Sequence, residues 1–294
     1  MPGTKFSKII PGVMNWGQWG AKLNTSQMAK LINDCCEIGA TTFDQADIYG
    51  GHTTEEEWGK AFAESGISRE RIQLITKCGI MMPSDRKPHI KQKHYDTSQG
   101  HIIRSVDNSL KNLQTEYLDM LLIHRPSPIM DPDEIMKAID QLKSSGKVRY
   151  FGVSNFTPSQ MLLINSTCDL LANQIEISLF ELSAFLDGTL DNCMLYGLMP
   201  MAWSPLGGGQ LFSPTSSVEL LAKRERLNKV AEKYDWSLDE MVYLFLLHHP
   251  AHIRPVVGSS KIERIKVAVD STHTIISDAQ WFEIWTAAMG AEVP

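Results

Sequence analysis

The sequence lacks the features that mark several classes of protein. Its five cysteines are odd in number and contain no Cys-x-x-Cys pair, so they predict neither a disulfide framework nor a zinc site. No stretch reaches the ~20 apolar residues of a membrane-spanning helix. The net charge of −6 and the scattered lysines and arginines argue against a nucleic-acid partner. We therefore expect a cytoplasmic protein that binds neither membrane nor nucleic acid.

Two kinds of binding motif are missing as well. Two groups of histidines, His89, His94 and His101, and His248, His249 and His252, do not have the pattern of a metal site. We therefore expect no metal ion. No Gly-x-Gly-x-x-Gly follows a predicted strand, and the three glycines at 207–209 do not form that dinucleotide-binding fingerprint.

Short β-prone runs alternate with longer helical patterns along the whole chain. The predicted strands span residues 12–15, 42–45, 74–77, 120–124, 151–154, 173–177, 199–203 and 255–259. This alternation predicts a parallel sheet. Eight such units without a linker favour an α/β fold, a (β/α)8 TIM barrel that forms a single domain over residues 1–294. Residues 79–99 form a long predicted loop, and loops of that length are usually functional.

Ionisable side chains lie at the ends of three of the predicted strands. Asp44 lies at the end of the second strand with Tyr49 shortly after it, Lys77 at the end of the third and His124 at the end of the fourth. The carboxyl ends of barrel strands hold the active site, so we expect these four side chains to meet. An ammonium near a phenol lowers the phenol's pKa, a carboxylate keeps that ammonium charged, and a histidine can hydrogen-bond a substrate oxygen. Such a set suits the reduction of a carbonyl group.

Several motifs, in this order, resemble those of the aldo-keto reductase superfamily. They are Phe43-Asp44-Gln45-Ala46-Asp47-Ile48-Tyr49-Gly50, Thr76-Lys77, Leu122-Ile123-His124-Arg125-Pro126, Phe151-Gly152-Val153-Ser154-Asn155-Phe156, Asn173-Gln174-Ile175-Glu176, Ala202-Trp203-Ser204-Pro205-Leu206 and Pro255-Val256-Val257-Gly258-Ser259. The likeness covers nearly the whole chain. Within the family, the chain is similar to bacterial reductases of unassigned substrate that have a long loop after the third strand.

The resemblance implies a role for each matching residue. Asp44, Tyr49, Lys77 and His124 match the family's catalytic tetrad. The implied cofactor residues are Ser154, Asn155 and Gln174 at the nicotinamide carboxamide, Trp203 against the nicotinamide ring, Ser204, Pro205, Leu206 and Gly207 along the pyrophosphate, and Gly258, Ser259 and Arg264 at the adenosine 2′-phosphate. Trp16 is the implied wall of the substrate pocket. An arginine suits a phosphate dianion, so NADPH is favoured over NADH.

Two departures from the family's pattern bear on the cofactor. Gly258 stands where many relatives have a phosphate-binding lysine. Val267 and Ala268 stand where some relatives have polar residues near the adenine.

The sequence thus predicts an NADPH-dependent reductase of an aldehyde or ketone, which acts on a small molecule as a monomer or weak homo-oligomer. Two other functions stay open. One is a nicotinamide-binding sensor or regulatory subunit that resembles the potassium-channel β subunits, and the other is a lyase that forms a Schiff base through Lys77. Asp44 and Lys77 could also form a structural ion pair. The physiological substrate is not determined by the sequence.

Overall fold

Strands and helices alternate through the part of the chain that the computed structural model describes, residues 6–213 and 217–293. The strands are β1 (Ile10–Pro11), β2 (Thr42–Asp44), β3 (Gln73–Cys78), β4 (Ile80–Met81), β5 (His94–Tyr95), β6 (Leu118–Ile123), β7 (Val148–Ser154), β8 (Ala172–Glu176), β9 (Met199–Trp203) and β10 (Arg254–Val257). The α-helices are α1 (Thr25–Glu37), α2 (Tyr49–His52), α3 (Thr54–Ser65), α4 (Gln99–Leu113), α5 (Pro132–Ser144), α6 (Pro158–Asn165), α7 (Thr189–Tyr196), α8 (Val218–Lys233), α9 (Leu238–His248), α10 (Ile262–Asp270) and α11 (Asp278–Met289).

Within the described residues, eight of these strands form one parallel sheet in the order β1-β10-β9-β8-β7-β6-β3-β2. A parallel bridge between Gly12 and Asp44 joins the first and last strands of that order. The N–H of Val13 also donates to the carbonyl oxygen of Asp44 at 3.1 Å. The sheet is therefore a nearly closed barrel with helices around it, and the predicted (β/α)8 fold is confirmed.

Apolar side chains fill both surfaces of the barrel wall. All six residues of β3 and all six of β6 are buried, as expected for parallel strands covered on both faces. Inside the barrel, one cluster contains Ile10, Ile75, Met120, Leu122, Ala172, Met199, Met201 and Val256. A hydrophobic floor therefore lies beneath the open end where the strands terminate. Over the described residues, no helix combines the length and apolar character that would cross a bilayer.

Two helices begin where the sequence indicates. Thr157 caps α6 in a capping box with Gln160, and Pro158 occupies the first turn. Asp131 caps α5 ahead of Pro132 by accepting a hydrogen bond from a backbone N–H.

The first strand differs from its prediction. It lies at Ile10–Pro11 rather than at residues 12–15, because the chain turns at once and the N–H of Trp16 donates to the carbonyl oxygen of Val13 at 2.9 Å. The long segment 79–99 is also more ordered than the sequence indicates. It contains an antiparallel hairpin in which Ile80 pairs with Tyr95 and Met81 with His94.

Candidate active site

Lys77 lies at the centre of a buried polar cluster at the carboxyl end of the barrel. Its Nζ donates to Asp44 Oδ2 at 2.7 Å, to the carbonyl oxygen of Gln45 at 2.8 Å and to the Tyr49 hydroxyl at 3.0 Å. The Lys77 side chain is fully buried and that of Asp44 is 2% exposed. Three of the four predicted catalytic side chains are thus in direct hydrogen-bond contact.

The pairing of the neighbouring strands β2 and β3 brings Asp44, Lys77 and Tyr49 together. Asp44 ends β2 and pairs in register with Ile75, so Lys77 emerges two residues farther along β3, beside the same carboxylate. After β2, the N–H of Asp47 donates to the carbonyl oxygen of Lys77 at 3.1 Å, which ties the turn to β3. Tyr49 then opens the short helix α2, with its ring directed back to the ammonium.

The partners of Lys77 keep its side chain protonated. Burial by itself lowers the pKa of Lys77, but Asp44 and Tyr49 outweigh burial and raise this pKa above its usual value. The pKa of Tyr49 departs from the sequence-based prediction. Burial raises it above the usual value of a tyrosine, and although Lys77 acts in the predicted downward direction, burial is the larger effect. Tyr49 is therefore a protonated phenol at neutral pH.

His124, the fourth predicted catalytic residue, lies beside Tyr49. It follows β6, is 9% exposed, and its ring centroid is 6.1 Å from that of Tyr49 in an edge-on arrangement. Burial first, then the charges of Lys77 and Arg125, lower the pKa of His124 well below its usual value. The imidazole is therefore neutral at neutral pH. Its Nδ1 is buried with no hydrogen-bond partner among the described residues.

Gln174 links the predicted cofactor residues to this cluster. Its Nε2 donates to Asp44 Oδ1 at 2.9 Å, so the two Asp44 oxygens accept from Gln174 and Lys77 separately. The hydroxyl of Ser154 donates to the carbonyl oxygen of Gln174 at 2.9 Å. Ser154 and Gln174 lie in register on β7 and β8, which brings them together at the barrel mouth.

Asn155 extends the network toward Trp203. Its Nδ2 donates to the Ser154 hydroxyl at 2.8 Å and to the carbonyl oxygen of His124 at 3.3 Å, and its Oδ1 accepts from the indole N–H of Trp203 at 2.9 Å. The Asn155 backbone has φ of 63°, in the left-handed region that asparagine tolerates better than most residues. Predicted nicotinamide-binding residues and predicted catalytic residues therefore form one continuous polar network.

The remaining predicted cofactor residues lie on two loops. After β9, Ser204 has φ of 49°, its carbonyl oxygen accepts from the Gly207 N–H at 2.8 Å, and Pro205 and Leu206 lie within this turn. After β10, Ser259 is half-buried while Gly258 is exposed. Arg264, in the first turn of α10, is exposed and makes no side-chain hydrogen bond or ion pair within the described residues.

A family model described as "Aldo/keto reductase family" matches residues 8–288 of this chain. The chain belongs to the aldo/keto reductase family. It is therefore an oxidoreductase enzyme that acts on carbonyl or alcohol groups and binds a nicotinamide cofactor.

Relatives match over almost their full length. The chain is 45% identical to "Uncharacterized oxidoreductase YcsN" of Bacillus subtilis over 99% of this chain and 97% of the relative. It is 40% identical to a "6-dehydroglucose reductase" of Agrobacterium fabrum over 98% and 96%. Among solved structures, the glycerol dehydrogenase AKR11B4 from Gluconobacter oxydans has a TM-score of 0.84 at 22% identity, covering 100% of this chain and 96% of that one, which supports the fold.

One residue that is predicted to line the aldo/keto reductase pocket connects two loops of the barrel. Trp16, the predicted pocket wall, is fully buried, and its indole N–H donates to the carbonyl oxygen of Ser259 at 2.8 Å. Its ring packs edge-on against Phe43. Trp16 therefore ties the first loop to the loop after β10.

Two side chains of this reductase site were not assigned a role from the sequence. Trp19 is 45% exposed, and its ring centroid is 6.2 Å from that of Tyr49. The Arg125 guanidinium carbon lies 5.7 Å from the centroid of the Trp203 ring. The sequence does not single out Trp19, because Trp16 stands three residues before it in the same loop. Arg125 stands next to His124 in the Leu-Ile-His-Arg-Pro motif, but sequence spacing does not indicate which groups an arginine contacts.

Proposed function

We propose that this oxidoreductase reduces an aldehyde or ketone to an alcohol with NADPH, and that Tyr49 donates the proton to the carbonyl oxygen. The observation that carries the proposal is the 3.0 Å hydrogen bond between Tyr49 and the buried ammonium of Lys77. Tyr49 is protonated at neutral pH, so it has a proton to give. Lys77, held in its charged form by Asp44, stabilises the phenolate left behind.

His124 would hold the substrate oxygen in place. Its imidazole is neutral at physiological pH, so one ring nitrogen carries a proton and can donate it in a hydrogen bond. Nδ1 is buried without a partner among the described residues, which favours donation from Nε2. A donor beside Tyr49 stabilises negative charge that develops on the carbonyl oxygen.

The residues at the barrel mouth fit a dinucleotide. When bound, the reduced nicotinamide supplies the hydride. Ser154, Asn155 and Gln174 would hold its carboxamide, and the half-buried Trp203 would pack against its ring. Backbone from Ser204 through Pro205 and Leu206 to Gly207 would line the pyrophosphate, where positive φ values turn the chain tightly.

The loop after β10 supports NADPH over NADH. Arg264 is exposed and unpaired within the described residues, and it lies at the N-terminus of α10, whose N-cap Lys261 provides no side-chain cap. A helix N-terminus with a free guanidinium attracts a phosphate dianion. Ser259 adds a hydroxyl, and Gly258 leaves room for backbone approach. NADPH carries such a phosphate on the 2′ position of its adenosine, and NADH does not.

A Schiff-base lyase is less compatible with the geometry. A lysine must be neutral to attack a carbonyl carbon, whereas Asp44 and Tyr49 raise the pKa of Lys77 and keep it charged. All five cysteines are free and buried, which supports a reducing compartment, and we propose that the enzyme acts in the cytoplasm on a small molecule. We also propose a monomer or weak homo-oligomer.

The test is Tyr49→Phe, which removes the hydroxyl and keeps the ring. Carbonyl-dependent NADPH oxidation should fall by a factor on the order of 10²–10⁴, while the Kd for NADPH changes little. Tyr196→Phe, on the exposed surface of α7, is the matched control and should retain full activity. Unchanged turnover in Tyr49→Phe would exclude Tyr49 as the proton donor.

A further inference from the structure

Arg125 lies at the mouth of the proposed substrate site and has no role in the proton transfer described above. It directly follows His124, is half-buried, and its guanidinium carbon lies 5.7 Å from the centroid of the Trp203 ring. Its charge reaches the reacting groups, since it lowers the pKa of His124 and acts to lower that of Tyr49. The cation therefore lies near the groups that are proposed to act on the substrate.

The guanidinium has no anionic partner in the described part of the chain. No carboxylate lies within 4.0 Å of it and no side-chain or backbone acceptor bonds its N–H groups. Other half-buried arginines are satisfied: Arg69 pairs with Asp119, and Arg254 donates to backbone carbonyls. Glu176 is the carboxylate whose pKa Arg125 acts to lower, yet burial and Glu181 raise that pKa.

A second cation adds to the positive charge near Arg125. Lys93, in the long loop between β3 and α4, is exposed and close enough to lower the pKa of His124. No Arg125 nitrogen is among the buried atoms that lack a hydrogen-bond partner, so the guanidinium N–H groups reach solvent. An anion from outside the chain can therefore approach them and accept their hydrogen bonds.

We propose, on the basis of the reductase function above, that Arg125 binds an anionic substituent of the carbonyl substrate. The planar fork of an arginine matches the two oxygens of a carboxylate, phosphate or sulfonate. Trp203 packs against the guanidinium and limits the orientations of the fork. The substrate class is therefore an aldehyde or ketone that carries an acidic group, oriented with its carbonyl toward Tyr49 and His124.

Kinetics with a matched substrate pair test this subsite. We compare para-carboxybenzaldehyde with its methyl ester, which has a similar shape and no charge. The wild type should prefer the acid, and Arg125→Gln should reduce the acid-to-ester ratio of kcat/KM by about 10-fold or more. Arg125→Lys should give an intermediate ratio, because it keeps the charge and loses the fork. Arg104→Gln, an exposed arginine on α4, should leave the ratio unchanged.

A binding measurement separates this inference from the reductase function itself. Benzoate and benzamide are titrated into the enzyme saturated with NADP⁺, with calorimetry as the readout. Arg125→Gln should weaken benzoate binding by about 10-fold or more and leave benzamide unaffected. If no carbonyl compound is turned over, the reductase function fails, and the benzoate titration still decides whether the anion subsite exists.

Three results would overturn the inference. The first is an equal loss of turnover on the acid, the ester and the neutral, hydroxylated glyceraldehyde, which indicates a general positioning role. The second is benzoate binding that does not change in Arg125→Gln. The third is a weaker affinity for NADPH with an unchanged acid-to-ester ratio, which assigns the guanidinium to the cofactor.

Discussion

At the scale of single residues, a buried charge governs both stability and chemistry. Lys77 is fully buried and bonded to Asp44, Tyr49 and a backbone carbonyl. Removing one partner of a buried ion pair leaves the other charge uncompensated, at a cost of about 3–5 kcal/mol. The two effects can be separated, because stability depends on the pair and proton transfer depends on the ammonium.

The first prediction concerns that pair. Lys77→Met should lower the free energy of unfolding by about 3–5 kcal/mol and abolish turnover, because Asp44 is left charged and buried. Adding Asp44→Asn to the same chain should recover part of the stability without recovering activity. Urea unfolding and steady-state kinetics on the wild type and the two variants measure this. Recovery of turnover in the double variant would contradict a role for the ammonium in catalysis.

The second prediction concerns Asp47, two residues before Tyr49. Burial, and then the neighbouring Glu55, raise the pKa of Asp47 to about 8, and one of its oxygens accepts from Ser105 at 2.9 Å. Between about pH 4 and 8 the unfolded chain has lost this proton and the folded chain has kept it. The stability contributed by the raised pKa is therefore present at low pH and lost as pH rises through that range.

Asp47→Asn removes this titration and keeps an oxygen acceptor for Ser105. Relative to the wild type, the variant should gain about 1–3 kcal/mol of stability between pH 6 and pH 8.5. Denaturant unfolding at both pH values measures the difference. If the free energies of unfolding of the wild type and the variant change in parallel over this pH interval, the pKa of Asp47 is not raised by folding.

At the scale of elements, helices α3 and α4 pack unusually closely. A Cβ added at Gly59 in α3 would lie 2.1 Å from the carbonyl oxygen of Asn112 and 2.9 Å from Leu113 Cα. These obstacles are backbone atoms, so the helices would have to separate. The helix α4 also supplies Ser105 to Asp47, so this contact supports the turn that precedes Tyr49.

The third prediction follows from this contact. Gly59→Ala should lower Tm by about 3 °C or more, because overpacking costs about 1–3 kcal/mol. Gly100→Ala, in α4, is the control, because its Cβ would meet mainly the mobile end of Arg104. Differential scanning calorimetry compares the two. Equal Tm values would mean that the helices adjust without cost.

At the scale of the whole molecule, the loop after the first strand of the chain meets the loop after the last strand, where the cofactor is proposed to bind. Trp16, after β1, bonds the Ser259 carbonyl after β10, and Asn15 Nδ2 donates to the Gly258 carbonyl at 3.2 Å. The loop proposed for the 2′-phosphate is thus held by the start of the chain. A ligand at this junction should stabilise the entire barrel.

The fourth prediction uses that linkage. A ligand at 100 times its Kd adds about 2.7 kcal/mol to the free energy of unfolding. At equal concentration, NADPH should therefore raise Tm more than NADH does, and Arg264→Ala should remove most of the difference. Thermal unfolding with each cofactor measures both effects. Equal shifts in the wild type would argue against selection for the 2′-phosphate.

The order of strands could be obtained from the sequence, and so could the polar residues at the strand ends, since both depend on local patterns. A polar residue that ends an apolar strand emerges at the barrel mouth wherever the neighbouring strands lie. Asp44, Lys77 and His124 follow this rule. The sequence predicts the first strand at residues 12–15 because they have strand-like character, whereas hydrogen bonds in the structure turn them into a loop.

By itself, the sequence determined the barrel and which residues stand at its open end. Only the tertiary structure decided which of them touch. Gln174 meets Asp44 across 130 positions, Trp16 is buried while Trp19 faces the site, and Arg125 lies over Trp203 without a partner among the described residues. Burial also decided the pKa of Tyr49, because desolvation depends on every element that covers the ring. Periodicity is local, whereas contact and desolvation arise from the packed molecule.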